Sequence, residues 1–460
     1  MENAKADVVI CGAGIAGVSA AYHLAVRHGI RDVLLVDERP PLSLTSDKST
    51  EAYRNWWPGP DDAMVRLMNR SIDLMEELAV ACDNRFLLSR RGYLYATSDP
   101  VRTEEYRTTG ELASTQGAGE LRIHTGRLSD PPYLLHSAEG WTDQPDGADL
   151  ILDDVLLQQA FPYLTTDIYG AIHTRRCGWF SGQQLGMEQL ERARDAGARL
   201  MEGRIEKVQL ENGRVLGVRI ARNGSVVTVA TRSLVVAAGP FLKPMAAMLG
   251  VELPVFSELH VKVSFKDHLG IVPRDAPLLI WEDPQHLQWS DEERTLLAES
   301  DDTRFLVEEM PPGVHMRPEG GPGSQQVLML WPYHADVVPE VFPIEFPQNY
   351  GEIALRGMAR MVPRLSAYFD RLPTPFVDGG YYTKTRENRP LACPLPVEGA
   401  YLHGALSGFG LMASSATAEL LALHLSGGTL PGYAAAFTLE RYEDPEYMRA
   451  LEAWGDAGQL

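Results

Sequence analysis

Residues 7–38, DVVICGAGIAGVSAAYHLAVRHGIRDVLLVDE, leave this chain few folds to choose from. Asp7–Cys11 reads as a short buried strand, Ala16–Val26 as a helix with apolar residues at helical period, and Val33–Val36 as a second buried strand. Between the first strand and the helix stand Gly12, Gly14 and Gly17 in GxGxxG spacing. The spacing has a cause: Gly12 permits a tight turn, Gly14 lets a diphosphate approach the backbone, and Gly17 lets the helix pack close to the strand. The helix start, Ile15 and Ala16, offers unpaired N–H groups and the positive end of the helix dipole to phosphate. Asp37 lies 20 residues beyond Gly17, in register to accept hydrogen bonds from ribose hydroxyls, with Glu38 and Arg39 beside it. The unit predicts an α/β, Rossmann-like domain that holds a dinucleotide.

Composition narrows the remaining classes. At 460 residues the chain is long enough for two domains. A formal net charge of −20 argues against non-specific binding to nucleic acid or to an anionic membrane. No apolar run approaches the roughly 20 residues of a membrane helix, and the early first strand leaves no room for a signal peptide. Cys11, Cys82, Cys177 and Cys393 lie far apart with no paired or metal-like spacing. The expectation is a cytoplasmic protein with inert, buried thiols and no metal site.

Two further segments have the same texture as the first. Arg204–Leu210, Arg214–Ala221 and Ser225–Thr231 alternate apolar and polar residues across turns at Glu211–Gly213 and Asn223–Gly224, predicting hairpins. LVVAAGP, ending at Pro240, follows as a wholly apolar strand whose small residues Ala238 and Gly239 suit contact with a ligand. Near the end, Ala400–His403 reads as a strand, followed by a glycine-rich loop and a long apolar helix stopped by Gly427 and Gly428. Regions 83–150 and 251–375 are richer in proline, aromatics and irregular charge. Within them, 135–150 reads as a loop insertion and Pro318–Gln326 as an exposed hairpin loop. No second GxGxxG follows a strand, so a separate nicotinamide domain is not expected.

Taken together, GAGIAG…VDE, LVVAAGP and YYTKTRENRPLACPLPVEGAYLHGALSGFGLMASS resemble the D-amino-acid-oxidase-like superfamily of FAD enzymes, within it the sarcosine oxidase, glycine oxidase and dimethylglycine dehydrogenase branch. The resemblance implies a discontinuous FAD-binding domain, here 1–82, 151–250 and 376–460, and a second α+β substrate domain on a mixed β-sheet, here 83–150 and 251–375. It implies oxidation of the C–N bond of an amine or amino acid, with oxygen or another electron acceptor as the second substrate. Carried over by position, Gly12, Gly14, Gly17 and Asp37 match the ADP-binding residues, and Ala238 and Gly239 the stretch beside the cofactor. Gly408, Phe409, Gly410, Leu411 and Met412 match the loop and helix start facing the flavin. In Lys48–Arg54, the resemblance makes Ser49 and Thr50 flavin hydrogen-bonders and Arg54 the clamp for a substrate carboxylate, a task that suits a guanidinium fork. Trp56 and Trp57 are candidate pocket walls, and Tyr382 a pocket hydroxyl.

The chain also departs from the family. No cysteine or histidine stands where covalent flavin would attach, so non-covalent FAD is expected. Met329 replaces the lysine that assists oxygen, and Met412 a second carboxylate-binding lysine; Lys48, Lys262, Lys384 and His260 are candidate replacements for that charge. Arg386, in TRE where the family has TPD, is expected as a cation at the pocket edge, and Arg317 is a further candidate anion binder. Two other readings keep the cofactor: a hydroxylase or reductase fed by NAD(P)H, and a flavin-binding scaffold without catalysis.

Overall fold

A computed structural model describes residues 4–453 apart from 322 and 335. The glycine-rich unit forms as its spacing predicts: strand Val8–Cys11, helix Ile15–Tyr22 and strand Val33–Asp37. The helix continues beyond Tyr22 as a wider π-type turn, His23–Arg27. The two strands lie parallel at the centre of a six-stranded sheet, flanked by Arg199–Glu202 on one side and by Ser233–Val236, Ala400–Gly404 and Leu391–Pro394 on the other. Five strands run parallel and Leu391–Pro394 is antiparallel at the edge. All residues of Val8–Cys11 and the helix Ile15–Tyr22 are buried, as a parallel sheet covered on both faces requires. The hairpins Arg204–Glu211, Arg214–Arg222 and Ser225–Ala230 make a separate antiparallel layer. Their turns place Asn212 and Gly213 at φ 50° and 78°, and Asn223 and Gly224 at 49° and 74°, the left-handed pairs that two-residue hairpins favour.

The second domain is built on a nine-stranded mixed sheet. Two of its strands correct the boundaries drawn from sequence. Gly170–Thr174 pairs between Tyr93–Thr97 and Ala148–Ile151, and Phe376–Lys384 pairs with Phe256–Ser264, so both belong to this sheet rather than to the FAD-binding segments. Neither announces itself: GAIHT is short, and Asp378-Gly379-Gly380 is poor in strand-forming residues, so cross-strand pairing outweighs local preference. The segment 135–150 is irregular only as far as Gly147; Ala148–Ile151 is a buried strand. Val314–Glu319 and Gln326–Leu330 form the hairpin expected around 318–326; residue 322 lies outside the described residues. A separate apolar cluster, including Val263, Met316, Met329, Trp331 and Tyr350, packs against one face of the sheet.

Candidate functional site

Two helix N-termini converge on one cavity. The cavity measures about 400 Å³, within the usual range for small-molecule and cofactor sites. Gly14 and Ile15 line it from the first helix, Gly410 and Leu411 from the helix Gly410–Ser426, and neither helix is capped by the side chain of its own N-cap residue. Two positive dipole ends therefore meet at the same space. Gly12 holds φ 107°, and a Cβ there would lie 2.3 Å from the Ala237 carbonyl oxygen; a Cβ on Gly17 would lie 1.9 Å from the carbonyl oxygen of Gly12. Gly17 does not line the cavity, so its task is to let helix and turn interlock.

Asp37 lines the cavity, and its carboxylate braces the turn as well: Ala13 N–H donates to Oδ2 at 2.7 Å and Arg39 N–H to Oδ1 at 2.9 Å. Glu38 and Arg39 continue the rim, where the Arg39 guanidinium lies over the rings of Phe241 and Phe342 at 5.4 and 5.5 Å. Ile15 N–H donates to Ser46 Oγ at 2.9 Å, so Ser46 stands at the helix start; only the fold brings it there, and sequence reasoning missed it. Ala238, Gly239, Ser49 and Gly408 also line the cavity. Ser407, with φ 51°, places its buried hydroxyl at the wall without a partner among the described residues. A non-glycine residue in that backbone region is strained, by about 1–3 kcal/mol, and an unsatisfied buried hydroxyl adds to the cost. Both features suit a wall made to contact a polar ligand. Cys11 also lines the cavity; burial foremost, and then Asp37, push its thiol up to about 12 and keep it protonated.

A second, inner chamber of about 60 Å³ adjoins this cavity, sharing Tyr382 and Gly408 with it. Its lining includes Thr50, Arg54, Trp57, Tyr93, His260, His315, Phe409 and Met412, so three residues assigned from sequence to the cofactor (Thr50, Phe409, Met412) face this chamber instead. A Cβ on Gly408 would sit 2.5 Å from the Tyr382 ring, which explains a glycine there. Tyr382 stacks on His260 with ring centroids 4.1 Å apart, and burial pushes its hydroxyl up to about 12. Burial foremost holds His260 below its ordinary value and His315 down to about 4, so both rings are neutral near pH 7. Arg54 is buried, donates from Nη1 to the Tyr95 hydroxyl at 3.0 Å, and lies 4.3 Å over the Trp57 ring.

The loop before Arg54 is pinned from the second domain. Lys262 Nζ donates to the carbonyls of Asp47 (3.2 Å) and Ser49 (2.9 Å), and Arg317 donates to the Thr50 carbonyl at 2.7 and 3.0 Å. Arg317, fully buried and ion-paired with Glu319 at 2.6 Å, is thus a brace and not a free anion binder or a surface residue. Lys262 is buried enough to lower its pKa, desolvation being the largest cause. Lys48 is tied to Asp47 (2.7 Å) and Asp378 (3.0 Å) and lines neither the cavity nor the inner chamber; Lys384 is paired with Glu258 at 3.0 Å. Met329 is a fully buried core residue.

Arg386 is corrected outright: it is exposed at the crest of a turn closed by Thr385, whose Oγ1 accepts from Arg389 N–H at 3.0 Å. The turn carries Arg389 inward instead, paired with Asp61 at 2.6 Å in a third, outer chamber. Trp56 and Trp57 wall that chamber. Among the described residues no group of three or more histidines, cysteines and carboxylates is placed to hold a metal ion, and no helix is long and apolar enough to cross a membrane.

A family model described as FAD dependent oxidoreductase matches residues 7–423. The beta subunit of sarcosine oxidase from Arthrobacter sp is 23% identical over 283 residues, covering 59% of this chain and 63% of that protein. D-amino acid dehydrogenase from Cereibacter sphaeroides is 25% identical over 288 residues, covering 54% of this chain and 62% of the relative. The match thus spans less than two thirds of either relative. L-proline dehydrogenase from P. horikoshii superposes with a TM-score of 0.73 at 17% identity, over 96% of this chain and 98% of that one. Glycine oxidase from Geobacillus kaustophilus gives 0.70 at 16% identity, over 95% and 99%. At these identities the structural likeness is one of fold.

Proposed function

The chain belongs to the FAD-dependent oxidoreductase family, and from that premise we propose that it oxidises the C–N bond of an amine or amino acid and passes the electrons to oxygen or another acceptor. FAD, held non-covalently, supplies the hydride acceptor at flavin N5. The observation that carries the reading is the inner chamber: a small space, joined to the cofactor cavity through Tyr382 and Gly408, holding one buried guanidinium among aromatic side chains and neutral histidines.

Each part has a task in such a reaction. Gly14 and Ser46, with Ile15 N–H tied to Ser46, would cradle the diphosphate, and Asp37 would take the ribose while bracing the glycine turn. The start of the helix Gly410–Ser426 lines the cavity, and its N–H groups would favour negative charge on a flavin held there. Arg54 holds a substrate carboxylate by its fork, and its partners Tyr95 and Trp57 fix the fork's plane. Trp57, Tyr93 and Tyr382 exclude water and orient the substrate carbon toward the cofactor cavity. An amine that gives its proton to solvent before the hydride leaves needs no dedicated base. Lys262, which donates to the Ser49 carbonyl in the loop between the two spaces, is the lysine we assign to reoxidation. The reaction so proposed takes place in the cytoplasm.

The test is anaerobic mixing of the purified protein with N-methyl and unmodified amino acids. Bleaching of the flavin band by an amine supports the reading. Bleaching by NAD(P)H alone overturns it in favour of a hydroxylase or reductase, and bound flavin that no amine reduces favours a scaffold.

A further inference from the structure

The inner chamber holds little more than a reacting centre. A water centre needs about 10–15 Å³, so 60 Å³ takes about four to six water-sized groups: a nitrogen, its carbon and a small remainder. Beside it lies an outer chamber of about 520 Å³, larger than the cofactor cavity itself. The two chambers share Arg54 and Trp57.

The outer chamber is walled by Trp56, Trp57, Tyr95 and Tyr106. Most of its charged side chains are matched within the protein: Arg389 pairs with Asp61 at 2.6 Å, Arg102 lies 3.8 Å from Glu282 and 3.7 Å from Asp283, and Glu387 pairs with Arg441, while Glu105 is exposed at the rim. Glu282 is itself pushed up by burial, toward the neutral acid. One oxygen of Glu387 and two neutral side chains are left without hydrogen bonds on this lining among the described residues. The Tyr106 hydroxyl and both amide atoms of Asn388 are buried without hydrogen bonds among the described residues, on side chains only 7% and 4% exposed. Groups left so cost about 1–3 kcal/mol each, which a bound partner would relieve.

The geometry points to a substrate longer than the inner chamber: an amino acid whose carboxylate rests on Arg54 while a long substituent passes Trp57 into the outer chamber. That substituent has an apolar or flat body against the aromatic walls and ends in a neutral hydrogen-bonding group, an amide or hydroxyl, on Tyr106 and Asn388. The inference rests on the amine-oxidation reading and deepens it.

The test is flavin reduction by amino acids of graded length, as both enantiomers and N-methyl forms: glycine as the short member, then norleucine, glutamine, glutamate and lysine. Glutamine should exceed glycine at least tenfold in kcat/KM and exceed norleucine, glutamate and lysine. Tyr106→Phe and Asn388→Gly, the latter suited to the φ of 59° at that site, should each lower the glutamine-to-norleucine ratio five- to tenfold. Thr109→Trp, filling the chamber from a half-buried helix position, should lower the long-to-short ratio. Flavin content by absorbance reports whether each variant is folded. Glycine outpacing every longer substrate, with ratios unmoved in folded variants, overturns the inference and leaves amine oxidation standing; reduction by no amine overturns both.

Discussion

Replacing Arg54 by alanine tests the inner chamber most sharply. Its guanidinium is buried against Tyr95 and Trp57, where water competes weakly for a bound carboxylate. Hydrogen bonds to charged groups contribute about 1.5–3 kcal/mol each, so losing a two-pronged contact costs about 3 kcal/mol, or ~100-fold in kcat/KM. Arg54→Lys keeps a point charge without the fork and should recover part of the loss. The assay is anaerobic reduction of the flavin by an amino acid and by the same amine lacking the carboxylate, with flavin content measured in parallel. Arg54 does not line the cofactor cavity, so flavin content should hold. The carboxylate-bearing substrate should suffer alone. Equal losses on both substrates, or a colourless variant, would show that Arg54 supports the fold rather than the substrate.

Three further outcomes follow from the geometry. Gly17→Ala forces a Cβ to within 1.9 Å of a backbone oxygen that no rotamer change can clear, so the melting temperature should fall by several degrees, for a cost of about 3 kcal/mol or more, and flavin retention should fall with it. Asp37→Ala removes the acceptor for both Ala13 N–H and Arg39 N–H, so the dissociation constant for FAD, measured by fluorescence titration, should rise about tenfold or more; an unchanged constant contradicts its place at the ribose and turn. Burial holds His315 and His403 at about 4 against an ordinary 6.5, so the unfolded chain binds more protons between those values. Their stabilising contribution is complete above about pH 6.5 and is lost as pH falls toward 4; melting temperature should decline across that window, and less steeply in His403→Gln.

The cofactor half of the site was legible in the sequence because local geometry dictates it: a glycine turn, a helix start and an acid at the end of the next strand are fixed by short-range sterics. The hairpins with Asn-Gly turns were legible for the same reason. What escaped depends on distant pairing. Gly170–Thr174 and Phe376–Lys384 take their sheet from partners far away in sequence, and Ser46 reaches the helix start only when its loop folds back. Arg386 and Arg389 look alike as letters, and a four-residue turn decides which enters a chamber. Arg317 reads as a hairpin residue yet ends fully buried beneath Thr50. The outer chamber, formed between the loop after Arg54, the helix Pro100–Ala113 and the turn at Asn388, leaves no pattern in any one segment.

The central claim is that two helix starts and the glycine turn hold FAD in the 400 Å³ cavity. The absorption spectrum of the purified protein, taken before and after acid precipitation, tests it directly. A flavin band close to one FAD per chain, released wholly into the supernatant, is the predicted result. A colourless protein that takes up no added FAD would contradict the account, and flavin that stays with the precipitate would contradict non-covalent binding.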